Sequence, residues 1–321
     1  MGVPMTPPAS DHFNGKTFFQ PHHRFGRRFD VLKWRLTAKP QAWPARVEPP
    51  AVAPRPTPVG AQVAVTWLGH ASFLVQSAQT NVLIDPVFAE RASPFTWIGP
   101  RRVHPPGIAA ASLPRIDAVL LSHDHYDHFD AAFLRALAAK AQPRFIAPLR
   151  HRDLLSAAGA QHIVELDWWD QASLGDGASV TLTPTQHWSN RLGSPRNFRL
   201  WGGFYLQFAA RRVWFVGDTG FSERIVSDVR QRCGAPDLAL IPIGAYEPRW
   251  FMAPMHLNPA EAVEWHRRSG ARRSIGMHWG TFQLSDEGRE EPVAALAAAR
   301  KAAGLGEADF GILPPGGGVL V

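Results

Sequence analysis

Residues 122–128, SHDHYDH, place three histidines and two aspartates within six positions, directly after an apolar run. In an extended segment His123 and His125 point the same way, because side chains two residues apart share one face. Asp127 and His128 follow at the start of a helix and reach a second position. The spacing therefore fits two metal ions a few ångströms apart better than one. A solvated polar turn is the alternative interpretation, but H-x-H-x-D-H rarely arises by chance.

Four further apolar strands also end in a His or an Asp. Side chains at strand ends converge on one edge of a sheet, so residues distant in the chain can build a single site there. The four segments are VLIDP with Asp85, TPTQHWS with His187, WFVGDTG with Asp218 and SIGMHWG with His278.

Together with the motif, these residues supply enough ligands for two cations. His187 closes a set with the first two histidines of the motif, and His278 joins Asp127 and His128. Asp218 is the expected bridge, because a carboxylate has two oxygens and the glycine beside it lets the backbone approach closely. The single cysteine, Cys233, cannot supply a thiolate cluster. Imidazole and carboxylate ligands favour two Zn²⁺ ions, and Mn²⁺ or Fe stays open on ligand type.

The elements that must position these residues are visible from residue 63 onward as short apolar runs separated by turns. Strands and helices mixed in this way favour a layered α/β architecture with the helices outside. Helices are predicted at residues 130–140, 222–232, 259–268 and 291–303. The predicted strands are VAVTWLG, SFLVQS, NVLIDP, DAVLLS, RFIAP, ASVTLTPT, GGFYLQF, RRVWFVGDTG, DLALIPIG, SIGMH and a last one near GVLV.

Charge and proline content divide the chain into a basic, proline-rich N-terminal arm (residues 1–60) and a catalytic domain (residues 61–321). The arm holds nine Lys/Arg against three Asp/Glu and eleven of the 29 prolines. It could contact an anionic membrane, or pack over the domain as an extended arm through its aromatic residues. Nucleic acid is the least favoured partner, because the aromatics do not interleave with basic residues in a recognised motif.

The chain is expected to be a globular, cytoplasmic protein with a peripheral membrane contact as an option. Its 321 residues with 45% hydrophobic content are enough for one large core or two smaller ones. No run of 18 apolar residues is present, and the N-terminus lacks the pattern of a secretory signal peptide.

The motifs together resemble the metallo-β-lactamase fold, a four-layer αβ/βα sandwich with a dinuclear site at one edge. They are most similar to the N-acylphosphatidylethanolamine-hydrolysing phospholipase D group. The resemblance covers about residues 60 to 300. The matching blocks are TWLGHAS, DPVFAERASPFTWIGPRR, ELDWWD, QHWSNR, LWGGF, FVGDTGF, IPIGAYEPRWFM and IGMHWGTFQL.

The resemblance implies roles for individual residues. Asp85 is expected to orient a metal ligand, as a carboxylate behind an imidazole commonly does. His256 is expected near the substrate phosphate, with a place beside a helix cap as the alternative. Arg249 is expected to shape the substrate pocket or to pack, and His70 to support a ligand or belong to the core. Direct metal ligation is implied for His123, His125, Asp127, His128, His187, Asp218 and His278.

One position departs from the group. Animal members carry a Gln-Tyr pair where this chain has Thr96 and Trp97. Tryptophan retains an aromatic wall but loses the phenol, so hydrogen bonding to the substrate must differ. His104 has no partner that the sequence identifies, and a surface or structural role is expected for it.

The expected activity is hydrolysis of a lipid phosphodiester by a metal-bridging hydroxide, with Asp127, Asp218 and His256 as the catalytic residues. The alternative is hydrolysis of another small substrate at the same site, either a cyclic phosphodiester or a phosphorylated lactone. The expected partners are a phospholipid or small phosphodiester substrate, and the resemblance adds a homodimer by analogy.

Overall fold

The computed structural model describes residues 10–23, 28–52 and 56–321. Most of these residues form two seven-stranded sheets with a shared apolar core between them. In spatial order the first sheet contains β14 (Gly318–Leu320), β1 (Ala64–Gly69), β2 (Ser72–Gln76), β3 (Asn81–Ile84), β4 (Ala118–Leu120), β5 (Arg144–Pro148) and β6 (Ile163–Leu166). The second contains β13 (Phe310–Gly311), β12 (Arg273–Met277), β11 (Leu238–Pro242), β10 (Arg212–Phe215), β9 (Gly203–Gln207), β8 (Ala178–Thr183) and β7 (Gln171–Gly175).

The helices lie outside the two sheets, which gives the predicted four layers. Helices α2 and α3 close a smaller apolar cluster on the first sheet, whereas α4, α6 and α7 contribute to the main core from the second sheet. The helices are α1 (Arg28–Thr37), α2 (Ala131–Ala141), α3 (Arg152–Ala157), α4 (Glu223–Cys233), α5 (Arg249–Met252), α6 (Pro259–Ser269) and α7 (Glu291–Ala302), with a 3₁₀ turn at Ala110–Ser112. The αβ/βα sandwich expected from the motifs is confirmed.

The two sheets follow the same pairing pattern. Strands β3 to β6 run parallel in the first sheet, and β10 to β13 run parallel in the second. The remaining pairs are antiparallel. The segments that follow β3, β4, β10 and β12 therefore leave from the carboxyl ends of parallel strands, where α/β proteins generally build their sites.

Local signals fix the helix starts near the site. Asp130 caps α2 by accepting hydrogen bonds from the amides of Ala132 and Phe133, and its other oxygen accepts from Phe88 and Ala89 after β3. Asn258 and Glu261 form a capping box at α6, with Pro259 as the first helical residue. The motif residues and His256 thus precede well-defined helix ends.

The N-terminal arm packs on the domain. Phe18 is fully buried in the main core, Trp34 stacks on Phe251 with ring centroids 5.0 Å apart, and the indole of Trp43 donates to the carbonyl of Glu287. The arm is not extended throughout, because the ten residues of α1 contain neither proline nor glycine and carry Asp30 in the first turn. Phe25, another aromatic residue of the arm, lies outside the described residues. The domain boundary at residue 60 stays a prediction.

Three strands were missed in the sequence interpretation, and one of them, β13, has only two residues. β6 is short and only partly buried, and β7 alternates polar and small residues at the edge of its sheet. Neither β6 nor β7 carries the apolar pattern on which strand prediction depends. No helix in the described parts of the chain combines the length and the apolar character needed to cross a bilayer.

The arm is fastened by His12, and we predict that this attachment depends on pH. Its two ring nitrogens lie 2.7 Å from Asp11 and 2.8 Å from Asp167, and the ring stacks on Trp168. Burial alone would lower the pKa of His12, but the hydrogen bonds and charges of Asp167 and Asp11 outweigh it and raise the pKa. The attachment is therefore complete below pH 6.5 and weakens as pH rises through the raised pKa.

Hydrogen–deuterium exchange of residues 10–20 measured between pH 6 and pH 9, after correction for intrinsic exchange rates, should show this loss. Asp167→Asn should expose the segment at the lower pH already. Equal protection across the pH range in the unaltered chain would contradict the attachment.

Candidate metal centre

The seven residues expected as metal ligands meet at one end of the sandwich. The loop between β4 and α2 brings four of them, and the segments after β8, β10 and β12 bring one each. All are buried except His125, which is partly buried. The seven are His123, His125, Asp127, His128, His187, Asp218 and His278.

Three histidines form the first group. Nε2 of His123 lies 2.8 Å from Nδ1 of His125, and Nε2 of His187 lies 3.4 Å from that same Nδ1. Ligand atoms around a tetrahedral cation with bonds of about 2.0 Å are separated by about 3.3 Å. The three nitrogens therefore face one point at a spacing that suits a metal ion.

Asp127, His128 and His278 form the second group. The Nε2 atoms of His128 and His278 each lie 3.4 Å from Oδ2 of Asp127. Neither Nε2 atom has a hydrogen-bond partner among the described residues. Two imidazoles and a carboxylate that converge without hydrogen-bonding one another are a suitable donor set for a divalent cation.

Asp218 lies between the two groups. Its Oδ2 is 3.2 Å from His128, 3.1 Å from His278 and 3.8 Å from His187 of the first group. Its Oδ1 is buried and has no hydrogen-bond partner among the residues described. A buried carboxylate oxygen without a donor is costly unless a cation neutralises it. The residues present thus fit a pair of cations that share Asp218.

Hydrogen bonds behind the imidazoles set which nitrogen faces the centre. Asp85 accepts from Nδ1 of His128 at 2.7 Å, as the resemblance implied, and also from the amide and hydroxyl of Ser122. Nδ1 of His123 donates to Ser122 Oγ, and Nδ1 of His187 donates to the carbonyl of Met255. In each case Nε2 is left for the centre, which is how such contacts commonly fix a ligand tautomer.

Backbone conformation is unusual at the same place. His70, Asp85 and His278 all have positive φ values, of 54°, 42° and 61°. For residues other than glycine this left-handed conformation is uncommon and costs about 1 to 3 kcal/mol when the surroundings impose it. The unfavourable backbone conformation at these three residues is therefore the energetic cost of directing them toward one point.

The electrostatics of the centre depend on the imidazoles. Burial alone would raise the pKa of Asp218, but His278 and His128 outweigh it and hold that pKa well below its usual range. Asp127 behaves in the same way, with His128 as the largest opposing influence. Both carboxylates are thus held ionised, ready to balance positive charge.

Three further residues expected at the site take different positions. His256 lies beside the centre, with its ring centroid 5.1 Å from that of His187 and 5.5 Å from that of His278. Burial lowers its pKa to about 3, so the ring is neutral. Arg249 pairs with Glu261 and donates to the carbonyl of His256, which matches the packing alternative. Trp97 is 72% exposed in the loop after β3.

Residues that the sequence interpretation missed surround the first group. Trp188 lies with its ring centroid 4.6 Å from that of His125, and the guanidinium of Arg191 covers the ring of Tyr126 at 4.2 Å. Asp124, although it belongs to the motif, points away and pairs with Arg199. The sequence WSNR directly after His187 was the feature from which Trp188 and Arg191 could have been predicted to lie near the site.

A family profile described as "Beta-lactamase superfamily domain" matches residues 80–279, more than half of the chain. The chain belongs to the beta-lactamase superfamily. A solved structure described as Igni18, a novel metallo hydrolase from the archaeon Ignicoccus hospitalis, covers 81% of this chain and 98% of its own at a TM-score of 0.59 and 21% identity. That likeness supports the fold alone.

Two relatives within this superfamily carry names that match the resemblance seen in the motifs. An "N-acyl-phosphatidylethanolamine-hydrolyzing phospholipase D 1" of Caenorhabditis elegans is 42% identical over 68% of this chain and 64% of its own length. A mitochondrial protein of the same description from Saccharomyces cerevisiae is 32% identical over 71% of this chain and 49% of its own. The chain spans less than two thirds of either relative. The class that the matches support is a metal-dependent hydrolase.

We predict that Asp218→Ala loses metal and turnover together, because the carboxylate contacts both groups. Elemental analysis of the purified variant should find less than half of the metal bound by the unaltered protein. Asp124→Asn is the matched control, since it alters another buried carboxylate near the centre that faces Arg199 instead. The control should melt at a lower temperature with its metal content unchanged. Full metal content in Asp218→Ala would refute the shared position.

Proposed function

We propose that this superfamily member is a zinc-dependent phosphoric diester hydrolase of phospholipase D type. Its proposed substrates are lipid phosphodiesters similar to N-acylphosphatidylethanolamine. The observation that carries the proposal is the position of Asp218, with one oxygen close to imidazoles of both groups. Two bound cations would supply Lewis acidity toward phosphoryl oxygens and lower the pKa of a water molecule held between them.

The names of the two phospholipase relatives support the choice of substrate. The chain supplies the remaining chemistry through its own side chains. Asp127 and Asp218 provide negative charge that balances the cations without leaving a buried charge unpaired. These roles require both carboxylates to stay in place throughout the reaction.

His256 is the residue proposed to contact the substrate phosphate. Its Nδ1 is buried without a hydrogen-bond partner among the described residues, and its ring lies beside His187 and His278. A neutral imidazole donates one hydrogen bond to a non-bridging phosphate oxygen without adding charge. Arg249 fixes the segment that carries it through the bond to the His256 carbonyl.

A lipid substrate also needs a surface that meets the membrane, and residues 92–99 provide a candidate. Phe95, Trp97 and Ile98 are all exposed there, and the guanidinium of Arg91 holds the loop by donating to the carbonyls of Thr96 and Gly99. Clustered exposed apolar side chains on a soluble domain commonly mark an interaction site. Their ordered presentation suits insertion among lipid head groups.

This loop lies beside the segment that carries four of the expected ligands. Phe95, Tyr126 and Arg191 line one cavity of about 450 Å³. Tyr126 is itself the residue between two of the expected ligands, and its hydroxyl accepts from the amide of Leu192, which is 72% exposed. We therefore propose that a lipid extracted by the loop reaches the metal centre past Tyr126.

Helix α1 presents a second apolar surface. Phe29, Leu32 and Leu36 are exposed, while Trp34 on the same helix stacks on Phe251 of α5. Lys33 and Arg35 add positive charge, which favours an anionic membrane. We propose peripheral membrane contact through α1 and residues 92–99 together.

His256→Ala should retain its metal and lose turnover by about 100-fold or more, because the phosphate loses a positioned donor. Turnover of N-acylphosphatidylethanolamine and of a soluble aryl phosphodiester should be measured beside metal content. Loss of metal in this variant would make His256 a ligand instead. Turnover of cyclic phosphodiesters or phosphorylated lactones, with none of the lipid by the unaltered protein, would replace the proposed substrate.

The triple variant Phe95→Ser, Trp97→Ser, Ile98→Ser should bind liposomes containing anionic lipid about tenfold more weakly, because it removes the inserting side chains. Vesicle flotation measures the binding, and hydrolysis of a soluble diester should stay unchanged. Val59→Ser is the control, since Val59 is comparably exposed in the segment before β1. Unchanged flotation of the triple variant would exclude the loop as a membrane contact.

A further inference from the structure

The tight turn between β1 and β2 carries a buried histidine that the chemistry above does not use. His70 is almost fully buried and has φ of 54°, and Gly69 before it has φ of 115°. The β1–β2 register shifts at this place, between Trp67 and Gly69. Such a conformation is sustained only where several contacts impose it.

Those contacts connect His70 to two of the expected metal ligands at once. Its Nε2 lies 2.8 Å from Oδ2 of Asp127, and its backbone carbonyl accepts from the amide of His278 at 2.9 Å. The same carbonyl accepts from the indole of Trp67 at 2.8 Å. A carboxylate that binds a cation can only accept a hydrogen bond, so Nε2 of His70 carries the hydrogen of this bond when Asp127 is a ligand. We infer that His70 supports the carboxylate and does not itself bind the metal.

The amide of His70 is held from the other side by Thr281. It donates to Thr281 Oγ1 at 2.8 Å, and that oxygen lies 2.9 Å from Nε2 of His104. Nδ1 of His104 lies 2.8 Å from the carbonyl of Pro105, which can only accept. Nδ1 therefore carries the hydrogen, Nε2 is the acceptor, and the Thr281 hydroxyl must donate to it.

Every bond in this chain has a defined direction. Pro105 accepts from His104, His104 accepts from Thr281, Thr281 accepts from the His70 amide, and Asp127 accepts from the His70 ring. We propose that His104 and Thr281 are positioning residues that act through His70 to hold Asp127 and His278 of the second ligand group. The proposal rests on the metal centre and is independent of which substrate is cleaved.

Packing around Gly69 supports the same conclusion. A Cβ atom at this position would lie 2.9 Å from Cε1 of His104, closer than real Cβ contacts allow. The imidazole of His104 therefore packs directly on the backbone of the turn, and it is 3% exposed. Of the two roles expected for His104 from the sequence, the structural one agrees with this burial and the surface one does not, because the ring fills the space behind the turn.

The test is zinc affinity measured by competition with a chromophoric chelator at fixed pH. Thr281→Val keeps the side-chain shape but removes the hydroxyl, and it should weaken binding at one of the two zinc positions by about 10- to 100-fold. Thr281→Ser retains the hydroxyl and should bind zinc within about threefold of the unaltered protein. Unaltered affinity in Thr281→Val would overturn the proposal.

Two further variants separate positioning from general destabilisation. Ser274→Ala removes another hydroxyl bonded to a buried histidine, His266, away from the centre. It should lower the melting temperature and leave zinc affinity unchanged, whereas a loss of zinc affinity equal to that of Thr281→Val would overturn the proposal.

If Thr281→Val does not fold, His104→Phe keeps a ring without the acceptor nitrogen and should weaken zinc binding in the same way. Full zinc affinity in His104→Phe would contradict the proposal.

The outcome of the zinc-affinity test does not depend on the proposed activity. A chain that hydrolyses no lipid diester would still lose zinc affinity in Thr281→Val if the positioning role is correct. Conversely, active enzyme with unchanged zinc affinity in both Thr281→Val and His104→Phe would leave the proposed function standing and remove this inference.

Discussion

The structure depends on two ionised carboxylates buried among imidazoles. Asp127 and Asp218 are both largely hidden from solvent, and Oδ1 of Asp218 has no donor among the described residues. Burying a charge in this way is strongly unfavourable unless positive charge compensates it. The surrounding histidines are arranged with Nε2 facing inward by Asp85, Ser122 and the carbonyl of Met255, so they offer lone pairs to a cation.

The fold explains how such an arrangement forms from distant residues. Strands of both sheets end at the same edge of the sandwich, and the segments after β4, β8, β10 and β12 carry the ligands. Left-handed conformations at His70, Asp85 and His278 direct these side chains inward at an energetic cost. The large apolar core between the sheets supplies the stability that offsets this cost.

Much of this was accessible from the sequence because the decisive residues follow apolar strands. The pattern H-x-H-x-D-H and the later His and Asp positions predicted which seven residues meet, and apolar periodicity predicted most of the core strands. Asp85 and His70 were expected as partners of the ligands, but the residues behind His70 were not accessible. Thr281 and His104 are joined to His70 by contacts between loops distant in sequence, and no spacing rule reports them. Helix α1 was missed because proline-rich flanks obscured ten helix-compatible residues.

The central claim is that two cations occupy this edge of the sandwich and share Asp218. Anomalous diffraction at the zinc edge from crystals of the zinc-loaded protein tests it most directly. The account predicts two peaks about 3.5 to 4 Å apart, one among His123, His125 and His187 and the other among Asp127, His128 and His278. A single peak, or a peak coordinated by His256 in place of Asp218, would contradict it.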